Sequence, residues 1–233
     1  MPSILITGAN RGIGLGLCRE CLSQGWTVHA TCRQPEKSRH LLALQHDKKY
    51  TSQLSVYPLD VRNSEQLESL QAALGNSPID VLVNNAGVHA KKASQFGHCD
   101  EDTWEEAVAV NLLAPMKMME CFVDNVADSK MKIIANLSSK MGSMTDNNSG
   151  GSYAYRATKA ALNAVTVSAA HDLKYRDIIV MVLHPGWVRT DMGGPQGELS
   201  VEQASTMLLK LIQRASMSDS GKFLDIDGTE IPW

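Results

Sequence analysis

The chain has 233 residues, 43% of them hydrophobic, which is enough apolar material for one sizeable core, so we expect a single domain over residues 1–233. The formal net charge is −3 and no block of basic residues occurs, so nucleic acid is not an expected partner. No apolar run reaches the ~18 residues that a membrane-spanning helix needs, so a membrane is not an expected partner either.

Short apolar runs alternate with segments of helical periodicity along the whole chain. The apolar runs predict strands at 3–7, 27–31, 54–59, 79–83, 132–137, 178–183 and near Phe223. The periodic segments predict helices at 15–22, 35–46, 63–74, 100–125, 152–175 and 201–213. Because the strands are almost entirely apolar, they predict an α/β fold in which helices cover both faces of a doubly wound, mostly parallel sheet of about seven strands.

Three glycines follow the first predicted strand and open the first helix. Gly8, Gly12 and Gly14 have the spacing GxxxGxG. Glycines at such a turn let the backbone approach a pyrophosphate, which binds at the N-terminus of the following helix. An ordinary glycine-rich turn is the alternative, but its place after the first strand favours dinucleotide binding.

The end of the second strand indicates which dinucleotide would bind. It reads Ala30-Thr31-Cys32-Arg33, without the acidic residue that binds the ribose 2′-hydroxyl of NAD. Arg33 is placed to meet a 2′-phosphate, and Arg11 could add a second positive contact. The alternative is a pair of solvated surface arginines. We therefore predict NADP(H) as the cofactor.

Tyr155 and Lys159 lie four residues apart in the second long predicted helix, so their side chains share one face. An ammonium group beside a phenol favours the phenolate and lowers a pKa that is ordinarily ~10. Such pairs also occur by chance on surface helices, so the pair alone does not establish catalysis.

These motifs resemble those of the short-chain dehydrogenase/reductase family, which has a Rossmann-type fold. Residues 7–14 match the cofactor loop of the family, Asp60-Val61 its adenine contact and 84–87 its fourth-strand motif. The C-terminal GKFLDIDGTEIPW and the run SSKMGS resemble carbonyl reductases of the C-factor/sniffer type. The resemblance implies a catalytic set of Asn111, Ser139, Tyr155 and Lys159. It implies cofactor contacts at Gly8, Asn10, Arg11, Gly12, Ile13, Gly14, Arg33, Asp60, Val61, Asn85, Ala86, Gly87, Tyr155, Lys159, Pro185, Gly186, Val188 and Thr190.

The resemblance also implies how these residues reduce a carbonyl. Tyr155 gives a proton to the carbonyl oxygen as hydride arrives from the nicotinamide, and Ser139 hydrogen-bonds that oxygen. Lys159 lowers the pKa of Tyr155 and binds the nicotinamide ribose, while Asn111 supports a water-linked proton path near Lys159. The loop after the sixth strand, with the backbone near Val188 and the Thr190 hydroxyl, holds the carboxamide.

Several of these residues have alternatives. Ser138 or Ser143 could replace Ser139, and Asn111 could simply interrupt a helix face. We expect His184 to be a structural hydrogen-bonding residue near the cofactor. His89 and His98 fall in a loop and are interpreted as surface residues, and Asp191 is interpreted as a cap or turn residue.

The substrate pocket should lie outside the carboxyl ends of the strands. We expect its walls at 88–99, 141–152 and 187–199, where Met141, Met144, Trp187 and Met192 suit a small apolar ketone or aldehyde, with ordinary packing as the alternative. Residues 187–199 contain four residues that favour loops, Gly193, Gly194, Pro195 and Gly197. We therefore predict that this segment is a lid that closes over cofactor and substrate.

The remaining expectations concern the cellular compartment, the oligomeric state and alternative functions. The five cysteines are expected to be free thiols in a reducing compartment, with no metal site, and the simplest location is the cytoplasm. Met116, Met119 and Phe122 are assigned to the outer faces of the long helices, which predicts a dimer or tetramer. The rival functions are a non-catalytic NADPH-binding or signalling protein and an NAD-linked alcohol oxidase.

Overall fold

A seven-stranded parallel sheet forms the centre of the molecule in the computed structural model, which describes residues 1–90 and 95–233. The strand order is β3-β2-β1-β4-β5-β6-β7, and every neighbouring pair is parallel. The predicted doubly wound fold is confirmed. The strands are β1 (Ser3–Ile6), β2 (Thr27–Cys32), β3 (Leu54–Pro58), β4 (Val81–Asn84), β5 (Ile133–Leu137), β6 (Ile179–Leu183) and β7 (Phe223–Leu224).

Helices pack on both faces of the sheet. In β1, Ile4 and Ile6 point into one apolar core and Leu5 into the other, because successive strand side chains face opposite ways. Helices α1, α2 and α7 cover the first core, and α3, α5 and α6 the second. None of the described helices is long and apolar enough to cross a bilayer. The helices are α1 (Gly12–Ser23), α2 (Arg39–His46), α3 (Ser64–Leu74), α4 (Glu101–Val108), α5 (Ala114–Ala127), α6 (Tyr153–Asp172) and α7 (Val201–Gln213).

Two predicted helices are interrupted in the structure. The segment 35–46 begins as a 3₁₀ turn at Pro35–Lys37, and α2 starts only at Arg39. The segment 100–125 contains a π-helical turn at Ala109–Leu113, between α4 and α5. A π turn inserts an extra residue into a helix and is frequent at functional sites. Here the turn carries Asn111, one of the implied catalytic residues.

The assignment of Met119 and Phe122 to an outer helix face is wrong. Phe122 has no exposed surface and Met119 is 3% exposed, and both belong to the apolar core beneath α5. Met116 is half-buried against the same core. A recurrence of apolar residues at i, i+3 marks the stripe that faces the sheet rather than the outside. The prediction of a dimer or tetramer therefore loses the support of these residues and stays a prediction.

Candidate active site

A cavity of about 490 Å³ opens at the carboxyl ends of the strands, beside β1 and β4. The strand order reverses between these two strands, and ligands of open α/β sheets bind at such a switch point. Most of the implied cofactor contacts line this one cavity. They are Gly8, Asn10, Arg11, Gly12, Ile13, Arg33, Asp60, Val61, Asn85, Ala86, Gly87, Tyr155, Lys159, Pro185 and Thr190.

Three implied cofactor contacts lie behind the cavity wall instead of in it. Gly14 packs beneath the glycine turn, against the backbone of Gly8. Gly186 has a φ of +77° and packs against Leu199, and Val188 is buried and pairs with Leu199 in an isolated bridge. Their direct contact with the cofactor stays a prediction.

The glycine turn has the shape that a pyrophosphate cradle requires. Gly8 has a φ of +67°, and a Cβ added there would lie 3.1 Å from Cα of Ala86. Gly12 has a φ of +51°, and a Cβ there would lie 3.3 Å from Cγ2 of Thr190. L side chains rarely adopt these angles, so glycine keeps the turn open at the N-terminus of α1. The residues present therefore fit a dinucleotide.

Asn85 fixes the turn from the neighbouring strand. Its side-chain amide donates hydrogen bonds of 2.7 Å to the Thr7 carbonyl and 3.1 Å to the Gly8 carbonyl. The Thr7 hydroxyl accepts 3.0 Å bonds from the backbone N–H groups of Asn85 and Ala86. The first and fourth strand ends are thereby tied together, and the Asn85 amide is engaged by the protein itself.

Basic side chains line the cavity at the end of β2 and β3. Arg33 and Lys37 are both exposed there, and Lys37 was missed because it lies in the 3₁₀ turn that the sequence presents as helix. Arg62 was also missed. Its guanidinium donates bonds of 3.0 and 2.8 Å to the two oxygens of Asp60, and these bonds lower the pKa of Asp60.

Arg11 forms an ion pair with a residue of the loop after β6. Its Nη1 lies 2.6 Å from a carboxylate oxygen of Asp191, and both side chains are largely exposed. Asp191 is therefore an ion-pair partner, which the interpretation as a cap or turn residue did not include. The ion pair connects the glycine turn with the loop after β6, and both of its residues line the cavity.

Tyr155 and Lys159 lie side by side in the cavity wall. Tyr155 is 8% exposed and Lys159 is 5% exposed. The Lys159 Nζ lies 5.8 Å from the centre of the Tyr155 ring and donates a 2.7 Å hydrogen bond to the carbonyl oxygen of Leu137, at the end of β5. The Ser139 hydroxyl, two residues further along, lies close enough to the Tyr155 phenol to lower its pKa. Helix α6 and the end of β5 together hold this group.

Burial controls the protonation of both side chains. It raises the pKa of Tyr155, and the Ser139 hydroxyl only partly opposes that rise. Burial lowers the pKa of Lys159 from 10.5 to about 8. The expected lowering of the Tyr155 pKa by Lys159 is therefore not seen in this structure, in which desolvation of the phenol is the largest effect.

Ser139 is favoured over its two alternatives. The Ser138 hydroxyl donates a 2.6 Å bond to Oδ1 of Asn163 in α6, and Ser143 donates a 2.5 Å bond to the carbonyl oxygen of Pro232. Both are engaged away from Tyr155. His184 accepts a 3.3 Å bond at Nδ1 from the Lys140 N–H, which confirms a structural hydrogen-bonding role, and burial lowers its pKa to about 4.

Asn111 clamps the loop that follows β4. Its side chain accepts a 2.9 Å bond from the Val88 N–H and donates a 2.9 Å bond to the Val88 carbonyl. A further bond of 3.1 Å reaches the Thr158 hydroxyl in α6. Asn111 is fully buried, so it does more than interrupt a helix face.

His89 lies against Tyr155, so its interpretation as a mere surface residue is wrong. The centroids of the two rings are 4.8 Å apart and their planes differ by 13°. His98 is exposed, as expected. A lone histidine in a loop carries no periodic signal, so sequence reasoning had nothing by which to place His89 on the catalytic tyrosine candidate.

Apolar side chains are exposed around the expected substrate side. The exposed fraction is 75% for Met144, 49% for Trp187 and 41% for Met192, and Met192 lines the cavity. Phe96 and Tyr153 are also exposed and their rings lie 6.3 Å apart. Part of the predicted wall at 88–99, namely residues 91–94, lies outside the described residues.

The loop at 187–199 is closed on itself by hydrogen bonds. The Arg189 N–H donates to the Leu199 carbonyl at 2.9 Å, and the Leu199 N–H donates to the Trp187 carbonyl at 3.1 Å. The Trp187 indole donates a 2.8 Å bond to the Gly193 carbonyl. The loop has little regular structure, as expected, but its two ends are paired. Only its tip, near Asp191 and Met192, lines the cavity.

Comparison with known proteins agrees with this geometry. A family model described as short chain dehydrogenase matches residues 2–199. C-signal of Myxococcus xanthus is 37% identical over 156 residues, which are 67% of this chain and 93% of that protein.

Solved structures of the same fold cover the whole chain. Carbonyl reductase Sniffer of D. melanogaster has a TM-score of 0.93 and 32% identity, with 100% of both chains covered. An NADPH-bound carbonyl reductase from chicken fatty liver has a TM-score of 0.91 and 31% identity, with 100% of this chain and 99% of that chain covered.

Proposed function

The chain belongs to the short-chain dehydrogenase/reductase family, and on that premise we propose that it is an NADPH-dependent oxidoreductase that reduces the carbonyl of a small, apolar ketone or aldehyde, reversibly with the alcohol. One observation carries the proposal. The buried pair of Tyr155 and Lys159 lines the same cavity as the glycine turn and Arg33. A dinucleotide that spans this cavity would present its reactive end to the pair.

The chain's own residues divide the binding of NADPH between two ends. The backbone at Gly8 and Gly12 would hold the pyrophosphate at the N-terminus of α1. Arg33 and Lys37 would pair with the 2′-phosphate, which makes NADPH the better ligand than NADH. Bound NADPH supplies the hydride. The similarity to an NADPH-bound carbonyl reductase supports this choice.

Proton transfer falls to Tyr155. The Ser139 hydroxyl lies close enough to its phenol to lower the pKa of that group, so a carbonyl oxygen bound between the two hydroxyls would accept a hydrogen bond from both. Burial raises the pKa of Tyr155, so the phenol holds its proton until the oxygen gains negative charge. Lys159 would bind the nicotinamide ribose and compensate the charge left on Tyr155 after transfer. Asn111 holds the neighbouring loop in place.

The substrate class follows from the mouth of the site. Met144, Trp187 and Met192 are exposed in the segments expected to form the substrate walls, and Met192 also lines the cavity; none of the three carries a charge that could select an acid or an amine. Such surfaces bind apolar groups by removing them from water. We therefore propose a carbonyl next to an aliphatic or aromatic group.

The test is a carbonyl panel in which loss of NADPH absorbance is followed. The panel should contain aliphatic and aromatic ketones and aldehydes, each with a charged analogue of the same size. We expect turnover of apolar members, weaker turnover of charged analogues, and none in Tyr155→Phe. A panel with no turnover by a protein that binds NADPH tightly would contradict the proposal.

C-signal of Myxococcus xanthus supports one second candidate, a signalling protein that binds NADPH without reducing a carbonyl. A pure binder has no need for Tyr155, Lys159, Ser139 and Asn111 in one place. In that case NADPH would bind and protect the fold, but no panel member would be turned over and Tyr155→Phe would behave as wild type in every assay.

A further inference from the structure

His89 lies face to face with the side chain to which the proposed function gives the proton transfer. The ring centroids of His89 and Tyr155 are 4.8 Å apart and the planes are 13° from parallel. This falls in the range of stacked aromatic pairs, which gain energy beyond simple burial. The stack restricts rotation of the phenol and covers one face of its ring.

The backbone around His89 is fixed on both sides. Before it, the Val88 N–H and carbonyl are both bonded to the Asn111 side chain at 2.9 Å. After it, Ala90 has a φ of +55°, a left-handed angle that is costly for a residue with a Cβ. Val88 and Ala90 both pack against the apolar pair Ala107 and Ala154. A costly angle persists where its surroundings determine it, so the position of His89 is built into the fold.

We propose that His89 is a positioning residue for Tyr155, whose stacked imidazole holds the phenol in the orientation that points its hydroxyl at Ser139 and keeps water from the ring. This inference rests on the proposed function of Tyr155. His89 acts through Tyr155 and needs no contact with the cofactor. Its effect belongs to turnover rather than to NADPH binding.

The groups around the Tyr155 ring determine how its pKa should change when His89 is replaced. Among the residues that the structure describes, the titratable groups that face Tyr155 are Lys159, from its own helix, and His89, from the loop after β4; the Ser139 hydroxyl approaches from the end of β5. Substituting His89 by alanine removes the imidazole and admits water to the Tyr155 ring. Desolvation, which raises the pKa of Tyr155, then weakens, and the phenol titrates at lower pH.

The experiment compares three variants. His89→Phe keeps a flat ring and tests stacking without nitrogen atoms. His89→Ala removes the stack. His98→Ala removes an exposed histidine of the same loop and serves as the control. For each variant we would measure kcat and KM on a verified substrate, the dissociation constant of NADPH, and the pH profile in the oxidation direction.

We expect His89→Ala to lower kcat about tenfold, with the NADPH dissociation constant unchanged, because a misplaced catalytic group slows the chemical step. Its oxidation rate should reach half its maximum at lower pH than in wild type. His89→Phe should stay within about threefold of wild type and keep the wild-type pH profile. A His89→Ala enzyme with wild-type kcat and profile would overturn the proposal. So would a His89→Phe enzyme as slow as His89→Ala, since nitrogen atoms rather than stacking would then matter.

A spectroscopic titration separates this inference from the proposed function. Tyr155 ionisation can be followed by ultraviolet difference spectra against Tyr155→Phe, without any substrate. If the protein reduces no carbonyl, the proposed function fails, but a lower titration midpoint in His89→Ala than in wild type would still support the contact. An identical midpoint in the two proteins would overturn it.

Discussion

The Lys159 ammonium lies beside the Tyr155 ring, 5.8 Å from its centre, with the phenol and the amine both buried. In this arrangement burial disfavours the charged form of each side chain, since it raises the pKa of Tyr155 and lowers that of Lys159 to about 8. In this arrangement the Tyr155 phenol therefore stays protonated and neutral. Ionisation of that phenol needs additional positive charge.

The first prediction concerns Tyr155→Phe. The change removes one oxygen from a buried side chain and leaves the stack with His89 in place. Turnover should fall about a hundredfold or more, the usual contribution of a positioned general acid, while NADPH affinity stays within about twofold. Steady-state kinetics and fluorescence titration measure the two quantities. Tyr175→Phe, at an exposed position that does not line the cavity, is the control and should keep wild-type rates.

The second prediction concerns the titration of Tyr155. Without cofactor, burial should make this phenol ionise above its ordinary pKa of 10.0. The positive nicotinamide ring of NADP⁺ would lie beside it and favour the phenolate, so saturating NADP⁺ should move the titration to lower pH. Ultraviolet difference spectra against Tyr155→Phe report the midpoint. An unchanged midpoint would mean that the nicotinamide does not bind near Tyr155.

The fold was predictable because strands that are buried on both faces have sequences made up almost entirely of apolar residues. Of these strands, β6 has no polar residue, and β1 and β5 have one each. The alternation of such runs with helices predicts a parallel sheet. The glycine turn and the Tyr155–Lys159 spacing were also readable, since their chemistry depends on residues close in sequence. The order of the strands then brings these two motifs to one cavity.

Features that depend on contacts between distant segments were not predictable. The π turn carries Asn111, whose side chain bonds Val88 in a distant loop, and His89 of that loop lies against Tyr155 of α6. Met116, Met119 and Phe122 were assigned to an outer face of α5, whereas Phe122 belongs to the core between α5 and the sheet. Lys37 lines the cavity with Arg33 from a 3₁₀ turn that stands where the first turn of a helix was expected.

The third prediction concerns cofactor preference. If Arg33 and Lys37 bind the 2′-phosphate, changing either to Ala should raise the NADPH dissociation constant about tenfold, the value of a charge-assisted contact in an exposed site. NADH affinity should hardly change, because NADH lacks the phosphate. Arg39→Ala, an exposed residue that does not line the cavity, is the control. Equal loss of NADPH and NADH affinity in Arg33→Ala would contradict the assignment.

The fourth prediction concerns the loop at 187–199. Its ends are paired between Trp187 and Leu199, while its tip is joined to the glycine turn by the exposed ion pair between Arg11 and Asp191. An exposed pair contributes at most ~1 kcal/mol, so the tip should open readily. Hydrogen exchange at 191–197 should be fast without cofactor and slow when NADPH binds. In Asp191→Ala, exchange without cofactor should be up to about fivefold faster. Protection confined to the glycine turn would reject a lid.

The last prediction uses Lys159 as a reporter of burial. The folded protein releases this proton near pH 8, and the unfolded chain releases it near 10.5. Between these values the unfolded state binds more protons, so the contribution of Lys159 to the free energy of unfolding rises with pH. The difference of about 2.5 pKa units corresponds to ~3 kcal/mol. At neutral pH, burying the charged amine costs free energy, and the 2.7 Å hydrogen bond from Lys159 to the Leu137 carbonyl offsets part of that cost. Lys159→Met loses this hydrogen bond.

Urea unfolding of wild type and Lys159→Met over pH 7 to about 10.5 tests this difference. The free energy of unfolding of wild type, minus that of the variant, should increase with pH by up to ~3 kcal/mol across the window. Groups common to both proteins cancel in the subtraction. A matched Lys48→Met variant, at an exposed position, should give a difference that stays level. If the Lys159 difference is also level, the amine keeps its proton in the fold. It would then act as a permanent cation beside Tyr155 and not as a group that burial brings near neutrality.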